Sequence, residues 1–282
     1  MRPPGTSSGC LLFKPMDLGP GERDMSKCND AMRRDWDERA RRNPFLYIAS
    51  WRKDWDERSF FESGEQDYLR VVDPPLQKLH FDPTGKAMAE LGCGAGRMTR
   101  SFAQRFQSVS ALDISGEMQS RGKSYLSSFS NIQWLLTSGE TLSGVDDCSV
   151  DFVFSYLVLQ HMPTKELVFA AVREMMRILR RDGVFLFQYN GSARPTMNWK
   201  GRALSGALDG LANLGLHSVS RWLARLAGVD SEMIGRTWRG ANLTTDEISS
   251  ALGSSAASSH SFLDAGTPMA WCYGRKQPVT GA

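Results

Sequence analysis

The chain of 282 residues has no run of about 18 consecutive apolar residues, the length a membrane-spanning helix needs, so no membrane partner is expected. Its opening, MRPPGTSSGCLLFKPMDLGPGERD, has only Leu11 to Phe13 as an apolar patch and lacks the hydrophobic core of a secretory signal, which leads to the expectation of a cytoplasmic protein. Five cysteines (Cys10, Cys28, Cys93, Cys148, Cys272) are widely spread, odd in number and without a C-x-x-C pair. That pattern argues against a disulfide framework and against a zinc site, and no metal is expected. The formal charge of +3 is too small to imply nucleic acid, and interleaved acids dilute any basic stripe. What is left, 41% hydrophobic and 23% charged, is an ordinary globular composition, long enough for one large α/β domain with an added cap.

The stretch KAMAELGCGAGR, Lys86 to Arg97, organises the rest. A short apolar run (Ala87, Met88, Ala89, Leu91) carries an embedded acid, Glu90, and Gly92, Gly94 and Gly96 follow at alternate positions. Met98, Phe102 and Phe106 then fall on one helical stripe, so the pattern reads as strand, glycine turn, helix. Glycines at such a turn let the backbone approach a ligand closely. A dinucleotide fingerprint, G-x-G-x-x-G, would need glycine where Arg97 stands, which counts against a nicotinamide-dependent oxidoreductase. Downstream, VSALDI reads as a second strand ending at Asp113 and Ile114, with Asp113 23 residues past Glu90. A carboxylate at the end of an adjacent parallel strand can accept both hydroxyls of a ribose.

Further strands are expected at Ile132–Thr137, Val150–Leu157 and Gly183–Asn190, with a helix from Thr164 ending at Gly183 and carrying Arg180 and Arg181 at its carboxyl end. Ligands of open α/β sheets sit beyond the carboxyl ends of the strands, which puts Ser155, Tyr156, Gln160 and His161 at the site. Residues 1–32, rich in Gly, Pro and Ser, are expected to be disordered. DWDER occurs at Asp35–Arg39 and again at Asp54–Arg58, and both copies read as helix starts within a helical segment, 33–80. Leu204, Leu208 and Leu211, then Val219, Trp222, Leu223 and Leu226, form two amphipathic stripes in an insert, 192–243. Thr244 and Glu247 fit a capping box opening the last helix, and two closing strands complete 244–276.

From Asp35 to Lys276, and most strongly from Glu90 to Asn190, this series resembles the class I S-adenosylmethionine (SAM) dependent methyltransferases of the small-molecule group. The resemblance implies a Rossmann-like, doubly wound α/β fold: a seven-stranded, mostly parallel sheet with an antiparallel last strand, here with an N-terminal helical lid and a helical insert after strand five. It makes SAM the cofactor and residues 81–191 the SAM-binding core. It implies that the lid folds over SAM, with Tyr47 at the methionine end, that Met118 packs on the adenine, and that the adenine amine meets the Ser138–Gly139–Glu140 turn, where the family's acidic residue is replaced by Ser138. Methyl transfer is an in-line displacement that needs alignment and exclusion of water. His161 is the candidate catalytic residue, as base or acceptor-orienting group, and Trp238 with Arg239 are the candidate substrate residues. The insert is expected to roof the acceptor pocket, with a homodimer arm as its alternative. The acceptor is read as a small molecule methylated on oxygen, with N-, S- or carboxyl-methylation and a non-catalytic SAM-binding relative as alternatives.

Overall fold

The computed structural model describes residues 22–138, 140–191, 207–208, 211, 217–226, 240–253 and 259–277. Seven strands form one sheet: β1 (Ala87–Leu91), β2 (Ser108–Asp113), β3 (Ile132–Leu136), β4 (Val150–Ser155), β5 (Leu179–Tyr189), β6 (Ser259–Leu263) and β7 (Ala270–Arg275). Their order is β3-β2-β1-β4-β5-β7-β6. β1 to β5 run parallel, and β7 enters antiparallel between β5 and β6. The order reverses between β1 and β4, which is where an open α/β sheet leaves a crevice for ligand. β1, β4 and β5 are covered on both faces, so they read as near-continuous apolar runs rather than as alternating ones.

One face of the sheet packs on α7 (Lys165–Ile178) through Val168, Ala171, Val172 and Met175. The other packs on Phe102 and Phe106, which follow the glycine turn through α5 (Thr99–Ala103), together with Tyr68, Val72 and Leu76. α7 stops five residues earlier than its expected end at Gly183. The loop before β4 claims its last carbonyls, with Cys148 N donating to Arg177 O (3.0 Å) and Ser149 N to Ile178 O (2.8 Å). Leu179 is already fully buried in β5. Arg180 and Arg181 therefore lie on the strand, and the register with β4 shifts between Val150 and Phe152.

The N-terminal cover begins sooner than expected. α1 runs Glu22–Arg42, so the stretch from 22 to 32, read as disordered, is helical. Asn29 and Met32 are buried, which gives those turns something to hold. The first DWDER lies inside α1, and only the second marks a helix start, where Asp56 caps α3 (Glu57–Asp67). Between them α2 (Pro44–Ile48) is capped by Asn43, and after α3 a π-turn (Tyr68–Val72) leads into α4 (Asp73–Lys78). α6 (Gly116–Tyr125) follows β2.

Within the insert, α8 (His217–Leu226) buries Ala224 while Val219, Trp222 and Leu226 are exposed. α9 (Thr245–Leu252) carries the expected capping box of Thr244 and Glu247. Among the described residues no helix is long and apolar enough to cross a membrane, and no group of His, Cys, Asp and Glu is placed to hold a metal ion.

Candidate active site

The crevice is built first by backbone. At Gly92 φ is +80°, and an added Cβ would lie 2.0 Å from the Val158 side chain, so the turn after β1 demands glycine there. Gly92 N and Cys93 N both donate to Leu112 O (2.7 and 3.0 Å), which hangs the turn on the end of β2. Asp113 completes it: its Oδ2 accepts from Gly94 N at 2.7 Å and its Oδ1 from Ser115 N at 2.9 Å. Each carboxylate oxygen keeps a further lone pair for a ligand hydroxyl.

Glu90, on β1, is buried, and its Oε2 accepts from Thr99 Oγ1 at 2.6 Å. Burial pushes its carboxyl up to about 7, against the pull of the Thr99 bond and of nearby Arg97. Burial likewise raises Asp113 to about 6, against its backbone donors. Two buried acids poised near neutrality are suited to a ligand that brings hydroxyl donors and positive charge, since either favours ionisation. SAM, with its ribose hydroxyls, ammonium and sulfonium, fits that donor set.

From this turn a cavity of about 660 Å³ extends past the carboxyl end of β4, within the ~300–1,000 Å³ usual for small-molecule sites. Ile114, Met118 and Thr137 line it beside β2 and β3. Tyr156, Gln160, His161 and Met162 line it beyond β4, and Asn190, Gly240 and Asn242 lie on its far side. Met32 and Trp36 of α1, Tyr47 and Ile48 of α2, and Trp51 cover it. The His161 ring meets the Trp36 ring edge-on at 5.5 Å, and His161 Nε2 lies 3.2 Å from Gln160 Nε2.

Of the residues expected here, Tyr47, Glu90, Gly92, Gly94, Asp113, Ile114, Met118, Tyr156, Gln160 and His161 line one cavity. Four do not. An added Cβ at Gly96 would meet Leu126 and Trp134, so that glycine serves packing behind the turn. Ser155 is fully buried and its Oγ donates to Leu91 O at 3.1 Å, tying β4 to β1. Ser138 Oγ accepts from the backbone of Glu140 and Thr141, closing its own turn. Glu140 accepts from Asn29 Nδ2 at 2.6 Å, which binds it to α1. Thr137 takes the wall position expected of that turn. Gly139, Trp238 and Arg239 lie outside the described residues.

Sequence reasoning missed Arg97. Its Nη1 donates to Asp67 Oδ2 at 2.8 Å, and its guanidinium lies over the rings of Trp51 (5.3 Å) and Tyr156 (5.8 Å) at the cavity wall. Arg70 shares Asp67, at 2.6 Å. It also missed the ties of α1. Asp37 Oδ1 accepts from Ser115 Oγ (2.6 Å) and Glu117 N (3.2 Å), and Arg39 lies over Trp36 (4.8 Å) and Tyr47 (5.7 Å).

With the fold and the crevice in place, comparison with known proteins agrees with the chemistry. Residues 89–187 match the family model described as a methyltransferase domain. That section thus carries the sequence pattern of a methyltransferase domain, a family whose cofactor is SAM. Among curated relatives, a ubiquinone biosynthesis O-methyltransferase from Azoarcus is 28% identical over 35% of this chain and 42% of its own length. Phosphoethanolamine N-methyltransferase 1 from Arabidopsis thaliana is 29% identical over 45% of this chain and 26% of its own. The matched stretch thus spans less than half the length of these relatives. Among solved structures, magnesium protoporphyrin IX methyltransferase from Synechocystis, with S-adenosylhomocysteine bound, aligns at a TM-score of 0.55. The alignment covers 89% of this chain and all of that one at 15% identity, so the likeness is one of fold.

Proposed function

We propose that this protein transfers the methyl group of SAM to a small-molecule acceptor, at oxygen. The observation that carries the reading is continuity: one cavity of about 660 Å³ runs from the Asp113 carboxylate and the glycine turn to His161 and Asn242. When bound, SAM supplies an electrophilic methyl group on its sulfonium. Asp113 takes the ribose hydroxyls, Glu90 and the Gly92–Gly94 backbone hold the methionine side, and Ile114, Met118 and Thr137 bracket the adenine. Tyr47 and Trp36 close over the cofactor and exclude water, while His161 faces the acceptor.

Oxygen is favoured over a cationic amine by the charges of the wall. The acids lining the cavity, among the described residues, are Glu90 and Asp113, both at the cofactor turn. The cation on the wall, Arg97, is paired with Asp67 and adds little net charge, so the preference for oxygen rests on the lack of a further acid among the described wall residues to hold an ammonium. The carboxyl end of the insert supports its role as a roof. Gly240 N donates to Gln160 O at 2.8 Å and Ala241 N to Met162 O at 2.9 Å, so this segment is laced to the turn that carries His161. Incubation with methyl-labelled SAM and host extract tests the reading. A labelled small product formed at the expense of SAM is expected, and SAM binding without any transferred label would overturn it.

A further inference from the structure

We propose that two glutamines, Gln188 and Gln160, hold the neutral imidazole of His161 in the form protonated on Nδ1, so that Nε2 does not serve methyl transfer as a base. The inference rests on the reading of this cavity as the methyl-transfer site, but its geometry stands by itself.

Gln188 is fully buried in β5. Its Nε2 has three oxygens within hydrogen-bond distance: Gln160 Oε1 at 3.1 Å, Tyr189 O at 3.0 Å and Pro268 O at 2.9 Å. Its Oε1 accepts from Leu157 N at 3.2 Å. Turning this amide over would set oxygen against three oxygens and NH₂ against an N–H, so its orientation is fixed. Gln160 follows from it. Its Oε1 accepts from Gln188, so its Nε2 is the atom turned to His161 Nε2 at 3.2 Å.

An amide nitrogen only donates. His161 Nε2 must therefore be the acceptor, with its lone pair engaged, and the single proton of the neutral ring lies on Nδ1. Protonation at Nε2 would bring two donors face to face. Gln160 gains no relief by turning over, because its NH₂ would then meet the NH₂ of Gln188. Leu157 adds weight: its φ of +59° is costly for a branched side chain, and the Gln188 bond to its N–H holds it there. The same buried amide thus fixes both the loop after β4 and the ring's tautomer. Gln188 and Gln160 are positioning residues.

The tautomer narrows the acceptor. In the transfer the C–S bond breaks with its electron pair left on sulfur, and the acceptor's lone pair forms the new bond to carbon. Among the described residues Nε2 is thus withdrawn as a proton acceptor, which favours an oxygen ionised on arrival, such as a phenolate or a carboxylate.

Two-bond ¹⁵N–¹H correlation spectra of the full chain, with ¹⁵N-labelled histidine, read the tautomer directly near pH 8, where free imidazole is neutral. The chain has four histidines, and loss of a signal in His161→Gln identifies the right one. The expected wild-type pattern is Nδ1–H. Gln160→Glu turns a carboxylate oxygen to Nε2 and should switch the ring to Nε2–H, and Gln160→Leu, which only removes the donor, should move it the same way. A wild-type Nε2–H pattern, or an Nδ1–H pattern unmoved by either folded variant, overturns the proposal. If both variants fail to fold, the wild-type spectrum decides. The spectra need neither cofactor nor acceptor, so their failure leaves the methyltransferase reading intact, while loss of that reading would show instead as absent label transfer.

Discussion

The two sides of the cavity are held by different forces. On the core side the ligand-facing groups are anchored by main chain. Gly92 and Cys93 hang from Leu112 O, and Asp113 is gripped by the N–H groups of Gly94 and Ser115. On the cover side the anchors are chiefly side chains meeting side chains, as in Asn29 with Glu140, Asp37 with Ser115, and Arg41 with Glu117 at 3.2 Å, with one bond from Glu117 N to Asp37 beside them. The first kind of anchor is rigid once the sheet forms. The second can part and re-form while the sheet stays folded, which suits a cover that must admit a cofactor.

The largest expected effect comes from breaking the rigid side. Asp113→Ala removes the ribose acceptor and two charge-assisted bonds, one from the turn at Gly94 and one from Ser115 at the start of α6, each worth about 1.5–3 kcal/mol. S-adenosylhomocysteine should bind roughly 10²-fold more weakly or worse by calorimetry. An affinity within about threefold of wild type would break the assignment of Asp113 to the ribose.

The buried acids on that side also tie stability to pH. Their carboxyls ionise near 4 in an unfolded chain, but at about 7 (Glu90) and about 6 (Asp113) when folded without ligand. Between those limits the folded state holds more protons than the unfolded one, so stability falls as pH rises from about 4 to about 7. A tenfold change in proton affinity is worth about 1.4 kcal/mol, so the fall attributable to Glu90 amounts to a few kcal/mol. Denaturant titrations of the apo protein across that range should show the loss, and Glu90→Gln should flatten the slope. An unchanged slope in that variant would remove Glu90 as its source.

What the sequence made legible follows the same division. Gly92, Gly94 and Asp113 could be read because backbone chemistry imposes spacing: a turn needs glycine at set positions, and neighbouring parallel strands end at a set interval. The α9 capping box was legible for a similar local reason, whereas the mostly parallel sheet with its antiparallel last strand came with the family resemblance. Arg97 with Asp67, Asn29 with Glu140, and Gln188 with Gln160 are contacts between residues far apart in the chain, and no local rule couples them. The Ser138–Gly139–Glu140 turn is placed at the adenine by position alone, and position does not reveal that Glu140 has a partner on α1. Disorder is expected of residues 22–32 because they fall in a segment, 1–32, rich in Gly, Pro and Ser overall, whereas in the helix Asn29 and Met32 are buried.

One contact crosses between the two kinds of anchoring. A Cβ added at Gly64 of α3 would stand 2.0 Å from the carbonyl oxygen of Arg97, so here the cover rests directly on the backbone of the glycine turn. Gly64→Ala must push α3 off that carbonyl, at an expected loss of about 1–3 kcal/mol of stability by chemical denaturation, despite alanine being the better helix former. A variant as stable as the wild type would mean that the cover rides on the core more loosely than this spacing indicates.

The smallest effect tests the cover alone. Asn29 Nδ2 donates to Glu140 Oε1 at 2.6 Å, joining the first turns of α1 to the loop after β3, beside the Thr137 wall of the cavity. Removing it with Asn29→Ala leaves the sheet and the Asp113 cradle untouched, so the melting temperature should change little. A hydrogen bond to a charged group contributes about 1.5–3 kcal/mol when fully desolvated, and less when part-buried as here. If α1 closes over bound cofactor, part of that energy is realised only in the closed state, and the dissociation rate of S-adenosylhomocysteine should rise by several-fold while its association rate stays nearly constant. Equal changes in both rates would mean that the bond acts before closure. A lower melting temperature with unchanged rates would make it a fastening of the fold and would dissolve the distinction between a rigid cradle and a movable cover.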